Sequence, residues 1–445
     1  MKKVFNHLIL FVALVVCNNS FSQKQNNQWR FGTAGAVDFN TVPPSFVNGA
    51  ALSTGEGSAS VADRLTGALL FYTDGVTVWN ALNQVMLNGT DLQGGSPVLL
   101  SSTTAAVIIP KPSSCNLYYI ITVDEGASGN TATGINYSLV DMTLDAGLGG
   151  IVLTQKNIPL VATTSEKLEI VPAANGNDFW LVTHDANTFY SVLLTSSGFQ
   201  SIPVTSVAGG GLANTAGHLK VNSAHNMLAC GSLFESNMKL FSFNNATGVV
   251  SDLTEWKLNP VMLSNSPLVY GVEFSPSGQY MYISNLNSIV QYNLSVIDSA
   301  IIRNSAYVLQ TDGFYASLQL GPDSIIYVNA GSLESILNPD LGGAACNYQT
   351  NYISNQTGGG GYGLPKWVYP GNYTPSSTSN AIIFNENCFG AATQFFIQDT
   401  TGISSITWNF GDPNTGANNT AVGDTAFHTF SQFGLFTIQA ILTTA

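Results

Sequence analysis

The feature that most constrains the fold of this chain is an internal repeat of short strand patterns. Each unit contains a strand, a polar turn, a more apolar strand, a second turn and a third strand, as in "EKLEIVPAANGNDFWLVTHDANTFYSVLL". Strand-rich periods of about 40 to 50 residues are typical of a β-propeller, in which each blade covers the hydrophobic face of its neighbour. The first strands of successive units, separated by 47, 62, 51, 52, 45 and 47 residues, begin near Ser58, Ala105, Lys167, His218, Tyr270, Tyr315 and Tyr362.

Six complete units and a lone seventh strand predict a ring that both ends of the repeat region close. The N-terminal segment "NQWRFGTAGAVDFN" can supply the other strands of the last blade, which would place Trp29 and Phe31 against "LPKWV". We therefore expect an all-β chain with a propeller of about seven blades over residues 23–369, and six or eight blades are the alternatives.

The stretch "LLFYTDGVTVWN" illustrates the local pattern of one unit. Asp74-Gly75 between two β-rich runs predicts a tight hairpin corner, because Gly75 can adopt the positive φ that such a turn requires. Leu70, Tyr72 and Trp79 are expected to pack between blades, so Asp74 is interpreted as a corner residue and not as a catalytic carboxylate.

Composition and charge indicate an exported, turn-rich protein. Charged residues make up 9% of the 445 residues and hydrophobic residues 45%. The formal net charge is −13, and the 13 Lys and Arg residues form no cluster. Nucleic acid is therefore excluded as a partner and an anionic membrane surface is disfavoured, whereas neutral glycans, cations and other proteins stay open.

The N-terminus has the pattern of a signal peptide over residues 1–22. Lys2 and Lys3 precede an apolar run of signal-peptide length, and "SFS" at residues 20–22 offers a cleavage site after Ser22. Lipidation at Cys17 is the alternative, but Val16 stands where a lipobox needs a small residue. No later segment approaches the ~18 to 20 apolar residues of a membrane span, so none is expected in the mature chain.

A second domain is predicted after the repeats. "PGNYTPSSTSN", residues 370–380, has the composition of a linker, and residues 381–445 contain four further strand patterns. Phe436, Ile438 and Ala440 alternate with residues that are mostly polar, as in a half-buried strand. These 65 or so residues predict a small β-sandwich.

This second region resembles the PKD domain, an immunoglobulin-like sandwich of surface and secreted proteins. The resemblance lies in "ITWNFGDPNTG" and "HTFSQFGLFTIQAIL". The matching positions are Trp408, Phe410, Gly411, Asp412, His428, Phe430, Gly434, Phe436 and Ile438. Asp412 is interpreted as a turn cap, with a calcium ligand as the alternative because PKD-like domains sometimes bind calcium; His428 is interpreted as structural.

Segments such as "WRFGTAGAVDFN", "GALLFYTDGVTVWN" and "NLYYIITVD" resemble the propeller-like region of large surface proteins from gliding Bacteroidota. Those proteins typically continue with PKD domains and end in a sorting domain for type IX secretion. The resemblance implies export to the cell surface or the medium, and it names no ligand. Because the sequence stops at Ala445 without residues for a sorting domain, we expect it to be a fragment of a longer protein, with a different export route as the alternative.

Motifs that carry chemistry are few, and the sequence predicts no catalytic residue, metal ligand or cofactor. The histidines at 184, 218, 225 and 428 are interpreted as turn or half-buried structural residues, although His218 and His225 flank one hairpin and could approach each other. Propellers can gather distant carboxylates at an axial mouth, and the candidates near strand ends are Glu56, Asp63, Asp124, Glu125, Glu169 and Glu273.

The cysteines give no metal-binding spacing. Disulfides are permitted in an exported protein, with three full pairings of Cys115, Cys230, Cys346 and Cys388 left open. Cys230 has the pattern of a buried thiol in a strand, and Cys115 in a turn is the better disulfide candidate.

The sequence therefore favours a non-enzymatic, exported cell-surface or secreted module for adhesion, or for binding polysaccharide or a surface protein, with the PKD-like domain as a spacer. The rival hypothesis is an extracellular polysaccharide hydrolase or lyase whose carboxylates lie at the propeller mouth. Convergent carboxylates in a deep axial pocket would favour the rival, and a shallow mouth lined by Ser, Thr and Asn would favour the binding module.

Overall fold

The computed structural model describes residues 24–47, 49–64, 66–95, 102–114, 116–125, 133–213, 216–233, 235–258, 268–353, 359–366, 368, 382–385, 390–397, 403–432 and 436–444. The predicted signal peptide, the predicted linker, and Cys115, Cys388 and Gly434 lie outside these ranges. Contacts along the chain define two compact units: the larger comprises Gln23–Pro112 and Asn116–Tyr369, and the smaller contains Pro370–Ala445.

The larger unit is all-β, and its described residues form seven separate antiparallel sheets that follow one another in chain order. The first three sheets contain β1 (Gln28–Phe31), β2 (Gly35–Asp38) and β3 (Ser45–Phe46); β4 (Ala59–Ala62), β5 (Leu69–Thr73) and β6 (Val78–Asn80); and β7 (Ala106–Pro110), β8 (Leu117–Val123), β9 (Ile135–Asp141), β10 (Gly150–Ile151) and β11 (Ile158–Val161).

The other four sheets continue the same up-and-down order. They contain β12 (Leu168–Pro172), β13 (Phe179–Asp185), β14 (Thr188–Thr195), β15 (Gly198–Phe199) and β16 (Val204–Val207); β17 (Leu219–Val221), β18 (Met227–Cys230), β19 (Asn237–Asn244) and β20 (Val249–Lys257); β21 (Val272–Phe274), β22 (Tyr280–Ser284), β23 (Ile289–Asn293) and β24 (Tyr307–Gln310); and β25 (Leu318–Leu320), β26 (Ile326–Asn329), β27 (Leu333–Ile336) and β28 (Tyr348–Gln349).

Helices are short and lie in the connections between strands. The helix α1 (Ser299–Asn304) joins β23 to β24, and the Asp298 carboxylate caps it by accepting hydrogen bonds from the N–H groups of Ala300 and Ile301. Within the described ranges, no helix has both the length and the apolar character that crossing a membrane requires. The 3-10 turns cover Asp145–Gly147, Leu153–Gln155, Gly343–Cys346 and Pro413–Asn419.

Six of the seven sheets begin where the repeat predicted. The starts of β4, β7, β12, β17, β21 and β25 lie one to three residues after the predicted positions. These first strands are the inner strands of the unit, because β4 contacts β7, β12 contacts β17, β17 contacts β21, and β21 contacts β25. Meandering sheets that meet through their first strands have the organisation of a β-propeller.

Each sheet buries its apolar face against the next one, as a propeller requires. One core cluster joins Val61 and Phe71 of the second sheet to Ile108 and Ile120 of the third. Comparable clusters join the fourth sheet to the fifth, the fifth to the sixth and the sixth to the seventh. Between the third and fourth sheets, the Phe199 ring lies 4.9 Å from the Tyr119 ring.

The two ends of the larger unit come together. Trp29 and Phe31 of β1 share a core cluster with Tyr327 of the seventh sheet and with Leu364 of the segment after it. Thr33 pairs with Gly359 through two backbone hydrogen bonds of 3.0 Å. The predicted packing of Trp29 and Phe31 therefore occurs, and Leu364 is the residue of "LPKWV" that joins their cluster.

The hairpin corner at Asp74 has the predicted geometry. Gly75 has a φ of +92°, and Asp74 Oδ1 accepts hydrogen bonds from the N–H groups of Val76 and Thr77 at 2.9 and 2.8 Å. Tyr72 is buried and stacks on Trp79 with a centroid distance of 5.5 Å. The aspartate thus serves its own turn.

The smaller unit contains two three-stranded sheets with a common core. One sheet has the order β29 (Ile382–Asn385), β30 (Thr393–Ile397), β33 (Thr425–His428), and the other has the order β32 (Thr420–Val422), β31 (Ile403–Asn409), β34 (Gln439–Thr444). Phe395 from the first sheet and Trp408 from the second are fully buried in the same cluster. Two sheets packed face to face form the predicted small β-sandwich.

Candidate functional site

The carboxylates predicted near an axial mouth separate into distinct locations. Glu56 precedes the inner strand β4, and Glu169 and Glu273 lie within the inner strands β12 and β21. Asp63 follows β4, at the opposite end of that strand from Glu56, and accepts hydrogen bonds from Thr66 in the β4–β5 turn. Only some of the predicted carboxylates therefore lie at one end of the inner strands.

Asp124 and Glu125 follow the second strand of their sheet, outside the inner strands. The Asp124 carboxylate accepts hydrogen bonds from the N–H groups of Thr133 and Gly134, the latter at 2.8 Å. It joins the two ends of a loop, which is a structural role.

Charged and amide side chains at equivalent positions of the inner strands form a buried polar layer. Its members are Glu169, Lys220, Glu273, Gln319 and Lys366. The Lys220 ammonium donates to Glu273 Oε2 at 2.8 Å and to Gln319 Oε1 at 2.7 Å. The Lys366 ammonium lies 3.1 Å from Glu169 Oε2. Two ammonium groups and two carboxylates thus balance in charge.

Backbone groups complete the hydrogen bonding of this buried polar layer. Glu273 accepts from the N–H groups of Phe274 and Leu320, both at 3.0 Å, and Lys366 donates to the carbonyls of Leu168 and Leu219. Burial raises the pKa of the Glu169 carboxyl, and the charges of Lys366 and Lys220 partly offset this rise. Because the bonds cross from sheet to sheet, the layer connects the fourth, fifth, sixth and seventh sheets with residues 359–366, which are called here the closing segment.

A second group of polar side chains lies at the N-terminal ends of the inner strands and is called here the axial cap: Glu56, Thr103, Glu166, His218, Tyr270 and Ser317. Tyr270 OH donates to Glu56 Oε1 at 3.1 Å, and the Thr103 hydroxyl donates to Glu166 Oε2 at 2.8 Å. His218 Nε2 lies 3.2 Å from the Ser317 hydroxyl. These bonds join groups at the ends of inner strands from six sheets, so carboxylates and a histidine do converge on the axis.

Burial determines the protonation of the axial cap. It raises the pKa of Glu166 and of Tyr270, and it lowers the pKa of His218 well below the ordinary value, with Lys220 and Lys366 lowering it further. His218 is therefore neutral at pH 7. Its Nδ1 is buried and has no hydrogen-bond partner among the described residues.

An exposed aromatic pair lies beside the axial cap. The rings of Phe314 and Tyr362 meet edge to face at a centroid distance of 5.2 Å, and the two residues are 37% and 40% exposed. Tyr362 also lies 5.7 Å from the buried Tyr270 ring, which in turn lies 5.5 Å from the His218 ring. The four rings form a continuous path from solvent to the axis.

The glycine run "TGGGGYG" explains how Tyr362 is held. A Cβ on Gly363 would overlap the carbonyl oxygen of Glu56, and one on Gly361 would lie 2.7 Å from the Gly55 oxygen. Tyr362 N–H donates to that Gly55 oxygen at 2.7 Å, and Ser317 N–H donates to the Tyr362 carbonyl at 3.0 Å. Gly361 and Gly363 therefore pack tightly where the ring closes.

The structure corrects two of the histidine expectations and places His225 in the turn after β17, as interpreted. His184 is a buried residue of β13 rather than a turn residue, and its Nδ1 lies 3.0 Å from the carbonyl of Ala186. Burial lowers the pKa of His184 to about 3 and that of His225 to about 4. His218 and His225 lie at opposite ends of β17, so they do not approach each other.

The Asp412 carboxylate of the smaller unit is fully buried and ties two loops together. It accepts from the N–H and hydroxyl of Ser431 at 2.7 and 2.6 Å and lies 3.3 Å from His428 Nε2. Burial alone would raise the pKa of Asp412, but the hydrogen bonds from Ser431 and His428 outweigh it and lower the pKa. This matches the structural interpretation of Asp412, although its partner Ser431 is more distant in sequence than a turn cap implies.

Metal-ligating and thiol chemistry find little support in the described part of the chain. No group of three His, Cys, Asp or Glu side chains there could hold a metal ion. Cys230 and Cys346 are buried free thiols, and burial raises the pKa of both. The buried-thiol interpretation of Cys230 is confirmed.

Sequence reasoning missed most of the axial groups. Glu166, Tyr270, Lys220, Gln319 and Lys366 were not singled out as candidates. The available signal was a charged or amide residue in the middle of otherwise apolar strands, as in "LKV", "VEF" and "LQL", at the same position of successive repeats.

Comparison with known proteins shows low similarity in sequence and structure to three solved structures. No family model matches it, and no curated protein matches it. A solved structure from Lactobacillus plantarum has 13% identity and a TM-score of 0.47, covering 76% of this chain and 98% of its own. A Bacteroides fragilis protein provisionally assigned as a 6-phosphogluconolactonase has 11% identity and a TM-score of 0.46 over the same shares.

The β-propeller domain of a Myceliophteria thermophila protein is similar at 11% identity and a TM-score of 0.40, covering 68% of this chain and 93% of that domain. At these identities and TM-scores, none of the three solved structures carries an argument about activity.

Proposed function

We propose that the larger unit is a seven-bladed β-propeller that acts as a non-enzymatic binding module of an exported protein. Its seven sheets in chain order support the blade number, with residues 359–366 completing the blade that begins with β1. The signal-peptide pattern of residues 1–22 supports export to the cell surface or the medium. The partner is an extracellular polysaccharide or a surface protein.

The observation that carries this proposal is the hydrogen bonding of the axial carboxylates. Glu169 and Glu273 are each neutralised by a lysine, Glu166 accepts two bonds from Thr103, and Glu56 accepts one from Tyr270. A general acid or base must be able to reach a proton of the substrate. These groups instead hold the sheets together, which leaves the rigid exposed surface of the unit for binding.

The smaller unit is proposed to be a PKD-like spacer of the type found in surface proteins of gliding Bacteroidota. Its two-sheet sandwich, the Trp408–Phe410 core and the Asp412–His428 contact support this role. Type IX secretion is the export route that the resemblance implies, and adhesion is the corresponding cellular role.

A binding screen on the purified chain from Gln23 tests the proposal. The chain is applied to a glycan array and to immobilised outer-membrane proteins, with denatured chain as the control. Saturable binding to a glycan or a surface protein is expected. If the chain binds neither a glycan nor a surface protein, the binding-module proposal is overturned.

A hydrolase or lyase acting on extracellular polysaccharide is the second candidate, and one observation favours it. Glu166 has a raised pKa and lies in the same axial cap as Glu56 and His218, and perturbed groups that converge are typical of catalytic sites. The raised pKa would suit a proton donor. Release of new reducing ends or unsaturated products that Glu166→Gln abolishes would favour this candidate over the binding module.

A further inference from the structure

The aromatic pair beside the axial cap has the features of a sugar-binding surface. Phe314 and Tyr362 are large, exposed and in contact with each other, whereas most large aromatic side chains of the larger unit are buried. Exposed aromatic surface of this kind commonly marks a binding site. A pyranose ring presents a face of C–H groups that packs on an aromatic ring, and a rim of hydroxyls that needs polar partners.

The pair is held in place by backbone hydrogen bonds at the ring closure. The N–H and carbonyl of Tyr362 are bonded to Gly55 and Ser317, and Gly313, next to Phe314, donates to the Asn287 carbonyl at 3.4 Å. Rigid aromatic groups lose little conformational entropy on binding. The site is therefore pre-formed rather than assembled by the ligand.

Polar groups that suit hydroxyls lie on neighbouring segments: Thr33 pairs with Gly359, and the Asn287 carbonyl accepts from Gly313. Thr33 and Ser53 are exposed, with their hydroxyls 3.4 Å apart, and Asn287 is an exposed amide. Hydroxyl and amide groups can both donate and accept, as sugar hydroxyls do. The mouth thus combines an apolar platform with a neutral polar rim.

Charge indicates which class of sugar fits. The segments 53–57, 285–288, 313–317 and 359–363 contain no lysine or arginine, and Glu56 is their only charged residue. The ammonium groups of Lys220 and Lys366 are already paired in the buried polar layer. An anionic polysaccharide would meet no cation at this mouth, whereas a neutral one would lose no charge interaction.

We propose that Phe314 and Tyr362 form the binding platform for the neutral pyranose units of an extracellular polysaccharide. This inference rests on the proposed binding function and specifies its ligand and its site. One of the two rings packs against a sugar face, the other ring, which is nearly perpendicular to it, lines the side of the same sugar, and the hydroxyls of Thr33 and Ser53 with the Asn287 amide provide the polar rim.

The test measures affinity of the full chain for soluble neutral β-glucan, mannan and galactan, with alginate and a sulfated galactan as anionic comparisons. Wild type is compared with Tyr362→Ala, Phe314→Ala and the conservative Tyr362→Phe. Tyr307→Ala is the matched control, because Tyr307 is also 40% exposed but lies on the outer strand β24. Thermal unfolding of every variant confirms that the fold is intact.

We expect binding to at least one neutral polysaccharide, weakened by about tenfold or more in Tyr362→Ala and Phe314→Ala and changed less than about twofold in Tyr362→Phe and Tyr307→Ala. If both alanine variants bind a neutral polysaccharide as tightly as wild type does, the proposed position of the site is wrong, whereas the binding function still stands. Binding to anionic polysaccharides alone would overturn the neutral ligand class. Binding to none of the five would overturn the inference, and the proposed function would then depend on a protein partner.

Discussion

At the scale of single residues, the charges of the buried polar layer are paired, and the pairing is what makes their burial tolerable. Glu169 and Lys366 share a contact of 3.1 Å in the buried polar layer, and burial alone shifts both pKa values toward the neutral forms. By contrast, Lys239 and Glu255 are 3.8 Å apart, and the Glu255 side chain is 59% exposed. The two pairs should therefore respond differently to the loss of one partner.

Replacing Lys366 by Met is expected to lower the free energy of unfolding of the larger unit by about 3 to 5 kcal/mol, because Glu169 would lose its ion-pair partner while still buried. Glu255→Gln, the surface control, should change it by less than about 1 kcal/mol. Urea unfolding followed by tryptophan fluorescence measures both. Equal effects of the two substitutions would show that the buried pair is not structural.

Asp412 gives a residue-scale prediction for the smaller unit. Its pKa is lowered in the folded state, so the stability it contributes is present above the ordinary value of about 3.9 and is lost as the pH falls through the lower folded value. Asp412→Ala should remove about 1 to 3 kcal/mol at pH 7, since Ser431 and His428 lose a buried acceptor. The unfolding transition of the smaller unit, followed at pH 7 and at pH 3, measures this loss of stability. A variant as stable as wild type at pH 7 would contradict the structural role.

At the scale of secondary-structure elements, the closing segment depends on glycines that allow two backbones to approach closely. Gly363 lies against the Glu56 carbonyl, with no room for a Cβ. Gly210, in the other glycine run, has nothing within 4 Å of the position that its Cβ would occupy. Both glycines lie in glycine-rich segments, residues 357–363 and 209–211, but they have different structural roles.

Gly363→Ala is expected to destabilise the larger unit by about 1 to 3 kcal/mol, because the closing segment must move away from Glu56. Gly210→Ala should be neutral or slightly stabilising. Differential scanning calorimetry of both variants against wild type gives the comparison. A Gly363→Ala protein with an unchanged melting temperature would show that the closing segment does not pack as described.

The elements could be predicted from the sequence much better than the contacts between them. The starts of the inner strands follow from local alternation and turn residues. The start predicted near Lys167 is therefore only one residue away from the first residue of β12. The axial cap joins residues remote in sequence: Tyr270 and Glu56 are 214 positions apart. No local pattern encodes such a pair, and only the closed ring brings the two side chains together.

At the scale of the whole molecule, buried neutral histidines make stability depend on pH. The pKa of His225 is about 4 in the folded chain, compared with about 6.5 when unfolded. Between these values the unfolded chain binds a proton that the folded chain does not, so the free energy of unfolding falls as the pH falls from about 6.5 to about 4. Carboxyls with raised pKa values, such as Glu166, act in the opposite sense.

His225→Asn isolates the contribution of one histidine. Asn tolerates the positive φ of +55° at this position. The slope of unfolding free energy against pH between 4.5 and 6 should be smaller in the variant by about 1.4 kcal/mol per pH unit. Chemical denaturation at several pH values measures the slope, and identical slopes would mean that His225 titrates normally in the folded state.

We propose that the larger unit binds an extracellular ligand with its rigid exposed surface while its axial acids serve only to hold the sheets together. The most direct measurement is the molar mass of a neutral polysaccharide, by light scattering, before and after prolonged incubation with the chain under conditions in which it binds. The account predicts retained binding and an unchanged molar mass. A falling molar mass that Glu166→Gln abolishes, in a variant that still folds and binds, would contradict it and assign catalysis to the axial cap.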